Sequence, residues 1–538
     1  MQSKKLFQLR IIFLLLNSLL VISCGGYKFV GDPAGAPLLN HNKKESLGED
    51  ERKFWPLMDL RNDSIAGMSV ARAHAELIKD QKGEKVIVAV IDSGVDIEHP
   101  QLQEVIWINR DEVPNNNIDD DNNGYVDDRH GWNFLGAANL ENMESVRLQK
   151  KEKPESEAYK NFEEKRLKSL ESKKNEVVGI QDMLAQIKES DSIIKLILGK
   201  EDYTLEEVEG YSPKTFALME ALIFQRFLEE NLLTKSKLEV YLEGAQTGVN
   251  AHYNIAFDGR AVVGDDPDDI NDTLYGNPNV IGPDKDAANH GTHVSGIIAA
   301  VQNNNPGNKS NFEGTEIMVL RAVPDGDEYD KDIALAIRYA VDNGAKIINT
   351  SFGKGYSPHK DWVWEAVRYA EKNDVLIINA AGNSGKNIDP GMEKTYITDE
   401  ENGIELFTNF LTVGAVVHSY NEKQVASFSN FGAINVDVFA PGDKIWSTVP
   451  HEKYDFYSGT SMAAPNAAGV AAIIRSFFPK LKAFQVKRIL MDSGLPMYPS
   501  LKSPEGETLV NPRSLSASGK TINLYNALIY ASNKSYKK

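Results

Sequence analysis

The chain runs to 538 residues, more than one average domain and enough for one large domain with elaborations. With 41% hydrophobic and 25% charged residues it has the make-up of a globular protein, which excludes wholesale disorder and fibrous repeats. A balance of 59 basic against 77 acidic side chains leaves a net charge of −18, so a nucleic-acid partner is not expected; the single cysteine excludes internal disulfides and cysteine-based zinc or iron–sulfur sites.

In chain order, residues 1–23 read as an export signal. Lys4, Lys5 and Arg10 precede an apolar stretch, Ile11–Leu16 and Leu19–Ile22, too short for a comfortable transmembrane helix. The lone cysteine, Cys24, closes it in Val21-Ile22-Ser23-Cys24-Gly25, which resembles a bacterial lipobox and implies cleavage before Cys24 and lipidation on it. Removing residues 1–23 takes the net charge to −21. No acidic run follows Cys24, so the expected location is the outer membrane, facing the periplasm.

Residues 24–50 are polar with Gly and Pro and read as a tether. A helical stretch is expected over Ser69–Ile78. Lys85–Ile91 is a continuous apolar run of the kind buried on both faces of a parallel sheet, and similar runs recur at Ile317–Val323, Ala345–Asn349, Val375–Ala380 and Leu411–Val417. Helical patterns at Asp332–Asn343 and Asp361–Asn373 lie between them. The alternation predicts a doubly wound α/β fold with a mostly parallel sheet.

A large helical insertion interrupts this rhythm. Phe162, Leu170, Val177, Ile180, Leu184 and Ile187 recur at spacings near three and four, as do Phe216, Met219, Ile223 and Phe227, and both sets are expected to pack inward. The expected division is residues 51–138 and 250–538 for the α/β domain and 139–249 for an insertion packed on it or arching over it. A protein partner could use that insertion. No N-terminal inhibitory prodomain and no appended C-terminal domain are expected.

Three distant segments carry the chemistry: Asp92-Ser93-Gly94-Val95-Asp96 after the first buried strand, Asn289-His290-Gly291-Thr292-His293-Val294-Ser295-Gly296, and Ser458-Gly459-Thr460-Ser461-Met462-Ala463-Ala464-Pro465. A serine hydroxyl is a weak nucleophile and needs an adjacent base, and histidine titrates in the useful range. Together the segments resemble the subtilisin-like serine proteases in motif and in the order Asp, His, Ser, over roughly residues 85–135 and 255–500. The resemblance implies a serine endopeptidase in which Ser461 attacks, His290 is the base and Asp92 orients it, with His293 structural. It also implies that Asn383, in Ala380-Ala381-Gly382-Asn383-Ser384-Gly385, donates to an oxyanion. Ser351, Phe352 and Gly353, with Ala381 and Gly382, would bind substrate. No cofactor is required for that chemistry, and the substrates would be proteins or peptides. The contrasting reading is an inactive binding lipoprotein that keeps the fold.

Residues 119–128, Asp-Asp-Asp-Asn-Asn-Gly-Tyr-Val-Asp-Asp, resemble the start of a calcium loop, with Asp119, Asp121, Asn123 and Asp127 as expected ligands of a structural calcium. The twelfth position is His130 where an EF-hand has Glu. Asp265, Asp266, Asp268 and Asp269 form a second acidic cluster with a weaker claim on a cation.

Overall fold

The computed structural model describes residues 27–33, 46–212, 214–231, 233–303, 314–392 and 394–533. The export segment, Cys24 and part of the expected tether lie outside the described residues.

The α/β body contains strands β1 (Val86–Asp92), β2 (Gly131–Asn133), β3 (Thr315–Arg321), β4 (Ile347–Thr350), β5 (Leu376–Ala380), β6 (Phe410–Val416) and β7 (Val438–Pro441). A hairpin, β8 (Ile445–Val449) and β9 (Lys453–Tyr457), follows, then two short strands, β10 (Leu495–Pro496) and β11 (Lys520–Thr521). The main sheet runs β10-β11-β7-β6-β5-β4-β1-β3-β2, and every pair except β10/β11 is parallel. The apolar runs read from sequence are these strands, shifted by a residue or two. Alternation explains why they are apolar throughout. Val88 and Val90 enter one core cluster while Ala89 and Ile91 enter the cluster on the opposite face.

The insertion and the first catalytic segment hold α1 (Glu144–Lys151), α2 (Glu157–Leu198), α3 (Phe216–Glu230), α4 (Lys235–Thr247) and α5 (Asn289–Asn303), with a six-residue helical turn, Leu205–Gly210, between α2 and α3. Then come α6 (Asp330–Asp342), α7 (Lys360–Lys372), α8 (Thr460–Phe477), α9 (Ala483–Ser493) and α10 (Leu524–Asn533). Helices α5, α8, α9 and α10 cover one face of the sheet and α6 and α7 the other. This is the doubly wound arrangement. The chain order reverses between β1 and β4, so the crevice outside their carboxyl ends is where such sheets place ligands.

The insertion has its own small cores. Helix α2, 42 residues and about 63 Å long, is capped by the Ser156 hydroxyl, which accepts from the Tyr159 N–H at 3.0 Å, and it ends at Gly199 in the left-handed region (φ 68°). Ile180 packs with Leu228, Leu238 and Ala245, and Ile194 with Val208, Leu218 and Leu222. The α2 stripe thus packs as expected. The α3 stripe does not: Phe216, Met219, Ile223 and Phe227 are exposed, and Leu218, Ala221, Leu222 and Leu228 are the buried face. Helix α3 is apolar on both sides, so periodicity alone could not tell which side meets α2.

The tether expectation is also corrected in part. Within residues 27–33, Phe29 is buried, its ring edge-on to Phe477 at 5.3 Å and Phe478 at 5.9 Å, and its N–H donates to the Ser532 hydroxyl at 2.8 Å. Burying an aromatic side chain stabilises by about 1.5–3 kcal/mol, which favours the docked position of this segment.

Candidate active site

Asp92 ends β1 and Ser351 follows β4, whose register with β1 pairs Ile91 with Thr350. The two residues therefore emerge side by side at the switch point. His290 lies in the first turn of α5, and that helix contains the whole Asn289–Gly296 motif. Its Nδ1 sits 2.8 Å from Asp92 Oδ1, which also accepts from the Ser93 N–H at 2.8 Å. A carboxylate can only accept, so Nδ1 carries the proton of the neutral ring and Nε2 keeps its lone pair. Asp92 is buried, and its Oδ2 has no hydrogen-bond partner among the described residues. The His290 side chain is 36% exposed. Burial pushes its pKa down, but the Asp92 charge and hydrogen bond outweigh this and raise it above the ordinary value.

Ser461 is the second residue of α8. Pro465 lies four residues on and has no N–H, so the Ser461 carbonyl lacks its helical donor. The Ser351 hydroxyl supplies one at 2.9 Å, and the Ser461 hydroxyl donates in return to the Ser351 carbonyl at 3.0 Å. No hydrogen bond joins Ser461 to His290 among the described residues. The Ser351 hydroxyl is itself held by the Asn349 amide at 2.9 Å.

Asn383 follows β5, next in the sheet after β4. The Thr460 N–H and hydroxyl both donate to its Oδ1, at 2.8 and 2.9 Å. A backbone N–H needs an acceptor, so this bond orients the amide and leaves Nδ2 free to donate outward. Gly459 makes the room: a Cβ there would lie 3.3 Å from Asn383 Nδ2.

The expected substrate segments divide. Ser351 is buried and occupied with Ser461, while Phe352 is half-buried against the α6/α7 core and Gly353 is exposed. The backbone polar groups of Phe352 and Gly353 have no partner among the described residues, whereas Lys354 pairs in antiparallel fashion with Tyr396. A Cβ on Gly353 would come 2.8 Å from the Tyr396 carbonyl, so glycine is what admits this neighbour. Thr395 and Tyr396 were missed in the sequence, where no motif marks them. Ala381 is corrected. Its side chain is buried, its N–H donates to the Val413 carbonyl at 3.0 Å, and its carbonyl accepts from Asn430 at 2.9 Å. Gly382 is similarly committed, to Thr460 and Asn430, and can offer only surface.

His293 is buried, stacked on Tyr457 at 4.3 Å with Nε2 3.1 Å from the Asp455 carbonyl. Burial pushes its pKa down to about 3, so it stays neutral, in keeping with a structural role.

The acidic loop brings Glu112, Asp119 and Asp121 together, with one carboxylate oxygen from each within 4.8 Å of the others. Burial, then the charges of Asp128 and Asp121, raise the Glu112 pKa. Two expected ligands fall outside this trio. The Asp127 carboxylate caps the N–H groups of Asn116 and Asn117 at 3.1 and 2.9 Å, and Asn123 turns its Nδ2 toward Asp121 and Asp128. Glu112 escaped the sequence reading because it precedes the loop. In the second acidic cluster two carboxylates are already paired with cations: Asp265 binds Arg260 and Lys331, each at 2.7 Å, and Asp268 binds Lys151 at 2.6 Å.

A buried acid bound to a partly exposed imidazole, a serine at a helix start and an oriented amide are thus held at or next to the carboxyl ends of the neighbouring strands β1, β4 and β5. The Subtilase family model (peptidase S8) matches residues 83–168 and 209–518, most of the chain, and the chain belongs to that family. It is 42% identical over 192 residues to the "Thermophilic serine proteinase" of Bacillus sp. (strain AK1), covering 36% of this chain and 43% of that protein. It is 36% identical over 188 residues to "Thermitase" of Thermoactinomyces vulgaris, covering 35% and 61%. "Subtilisin DY" of Bacillus licheniformis is 36% identical over 209 residues, covering 38% and 70%.

Proposed function

We propose that the chain is a serine endopeptidase hydrolysing peptide bonds of proteins through an acyl-enzyme, with Asp92, His290 and Ser461 as the triad. The observation that supports the reading is the 2.8 Å Asp92–His290 contact at the carboxyl end of β1, beside the end of β4 where Ser351 binds Ser461. The Ser461 hydroxyl must leave the Ser351 carbonyl by rotation about χ1, which moves it between staggered wells about 120° apart. His290 Nε2 then takes its proton as Oγ bonds to the scissile carbonyl carbon. The oxygen of that carbonyl gains the negative charge and accepts from Asn383 Nδ2. Collapse of the adduct breaks the C–N bond, and His290 returns the proton to the leaving amine. Water repeats the sequence on the ester. The unpaired backbone of Phe352 and Gly353 offers an edge to an extended peptide. A fluorophosphonate should modify one residue, and peptide mapping should find the adduct on Ser461; an adduct elsewhere sinks the assignment.

The pH dependence follows from the raised His290 pKa. The neutral ring is the base, so kcat/KM should fall as pH drops, with its midpoint above the ordinary histidine value of about 6.5. The stability linkage has the opposite sense: the Asp92 interaction stabilises the folded chain fully below about pH 6.5 and fades as pH rises through the folded pKa. A limb below about 6.5 in the rate profile would contradict this.

Glu112, Asp119 and Asp121 would hold a calcium, whose oxygen-only ligand preference fits three carboxylates. Its charge would relieve their mutual repulsion and so stabilise the loop. Chelation should lower the unfolding temperature, calcium should restore it, and Glu112→Gln should remove that response; an unchanged melt in chelator argues against the ion.

Cys24 would anchor the mature chain by lipid in the bacterial envelope, at the outer membrane facing the periplasm. No helix among the described residues is long and apolar enough to cross a membrane. Metabolic labelling with palmitate, abolished in Cys24→Ser, tests the anchor. The insertion is also a surface for a protein partner, a reading favoured by the exposed Phe216, Met219, Ile223 and Phe227 ridge.

A further inference from the structure

Residues 139–249 touch the peptidase body at two places that lead directly into the site. On one side Phe162 lies edge-on to Tyr356 at 5.5 Å and Lys165 Nζ donates to the Tyr356 hydroxyl at 2.6 Å. Tyr356 stands five residues after Ser351, just past the open Phe352–Gly353 edge. On the other side Lys237, on α4, pairs with Asp455 at 3.0 Å. Asp455 lies on β9, six residues before Ser461, and its carbonyl is the partner of His293. The two halves meet at the centre, where Ser351 and Ser461 exchange hydrogen bonds. Within the insertion, α2 packs along α4 through Ile180 and Leu238. These contacts, joined by the short chain segments 351–356 and 455–461, put the insertion against both flanks of the site: α2 at Tyr356 and α4 at Asp455.

One root of the insertion is rigid. Glu144, on α1, meets Lys354 Nζ at 2.9 Å with both side chains buried, and Arg147 holds Glu144 at 2.5 Å. The distal contacts are of another kind. Lys237 and Asp455 are partly exposed, and Lys165 is exposed. Solvent-screened pairs of this sort hold weakly, so the frame is fixed at its base and lightly latched at its far side.

We infer that the helical insertion is a specificity element that frames the cleft and admits a single extended polypeptide while excluding folded surfaces. This rests on the serine peptidase reading above. The physical reason is size. An extended strand occupies about 5 Å in the sheet direction and about 10 Å across its side chains, whereas even a 100-residue domain has a radius of gyration of about 13 Å. The substrates are then unfolded or misfolded chains and flexible termini, not loops on native domains.

The test compares three substrates: a tetrapeptide anilide, reduced and carboxymethylated pancreatic ribonuclease, and the same ribonuclease native with its disulfides. The intact chain should cleave the first two and leave the native protein largely uncut. A variant with both latches removed, Phe162→Ala/Lys165→Ala/Lys237→Glu, should keep the first two rates within about twofold and cleave native ribonuclease at least tenfold faster. Hydrogen exchange across residues 235–247 should quicken in parallel. No gain on native ribonuclease, no change in exchange, or equal changes on all three substrates each overturns the inference. If Ser461→Ala still cleaves the anilide, the assignment of Ser461 as the nucleophile falls instead, and the two failures are separate.

Discussion

Ser461→Ala is expected to lower kcat on a peptide anilide about a millionfold while leaving the unfolding transition nearly unchanged. The alanine keeps the backbone of α8, and the Ser351 hydroxyl can still donate to the residue 461 carbonyl left bare by Pro465. Only the reacting oxygen goes. The loss should not add to that of His290→Ala, because base and nucleophile act as one unit: the double variant should be no slower than either single variant by more than a few-fold. Asn383→Ala should behave differently, costing about 10²–10³ in kcat with KM little changed, as expected of an amide that donates only to charge developing during reaction. A loss expressed in KM for Asn383→Ala would mean that the amide binds ground-state substrate. A Ser461→Ala chain within a hundredfold of the parent would remove the nucleophile from the account.

Lys354→Met carries the largest expected effect on stability, about 3–5 kcal/mol. The ammonium is buried between Glu144 and Asp330, each at 2.9 Å, and also donates to the Glu328 carbonyl at 2.7 Å. Removing it leaves carboxylates out of water with less than their compensating charge, and nothing in methionine can solvate them. Glu328 already feels this environment. Burial pushes its pKa up to about 8 against the pull of Lys354, so loss of Lys354 should drive it higher. The expected readout is a lower urea midpoint, partly restored in the Lys354→Met/Glu144→Gln double variant, with Lys354→Arg much milder. KM should rise as well, because Lys354 continues the Phe352–Gly353 edge and anchors it to α6 and to the insertion. An unchanged midpoint would mean that the buried network contributes nothing net.

Much of this site was legible because each of its parts is a contiguous string. Asp92, His290, Asn383 and Ser461 each sit in a short segment whose neighbours have to be small or apolar, and the parallel strands announced themselves as unbroken apolar runs. What escaped was whatever depended on two distant strings meeting. Glu112 joins the acidic loop through its fold, and Asp127 leaves it because its carboxylate is needed to cap Asn116 and Asn117. Tyr396 reaches Lys354 through an isolated bridge across forty-odd residues with no motif to mark it. Ala381 matched a segment by position, yet its side chain turns inward, the sheet takes its N–H and the Asn430 amide takes its carbonyl.

The insertion draws the same line. Its helical character and the packed stripe of α2 follow from the spacing of apolar residues along one chain. Which side of α3 faces α2 does not, because both sides are apolar and the choice falls to whichever packs better. The chain by itself determined the chemistry available, the order of the groups and the parallel sheet, since these are local or periodic properties. Only the tertiary structure decided that Asp92 binds His290 while Ser461 rests on Ser351, that Lys354 ties the Phe352–Gly353 segment to α1, and that the insertion meets Tyr356 and Asp455. Those are contacts between segments hundreds of residues apart, and burial and register, not sequence spacing, select them.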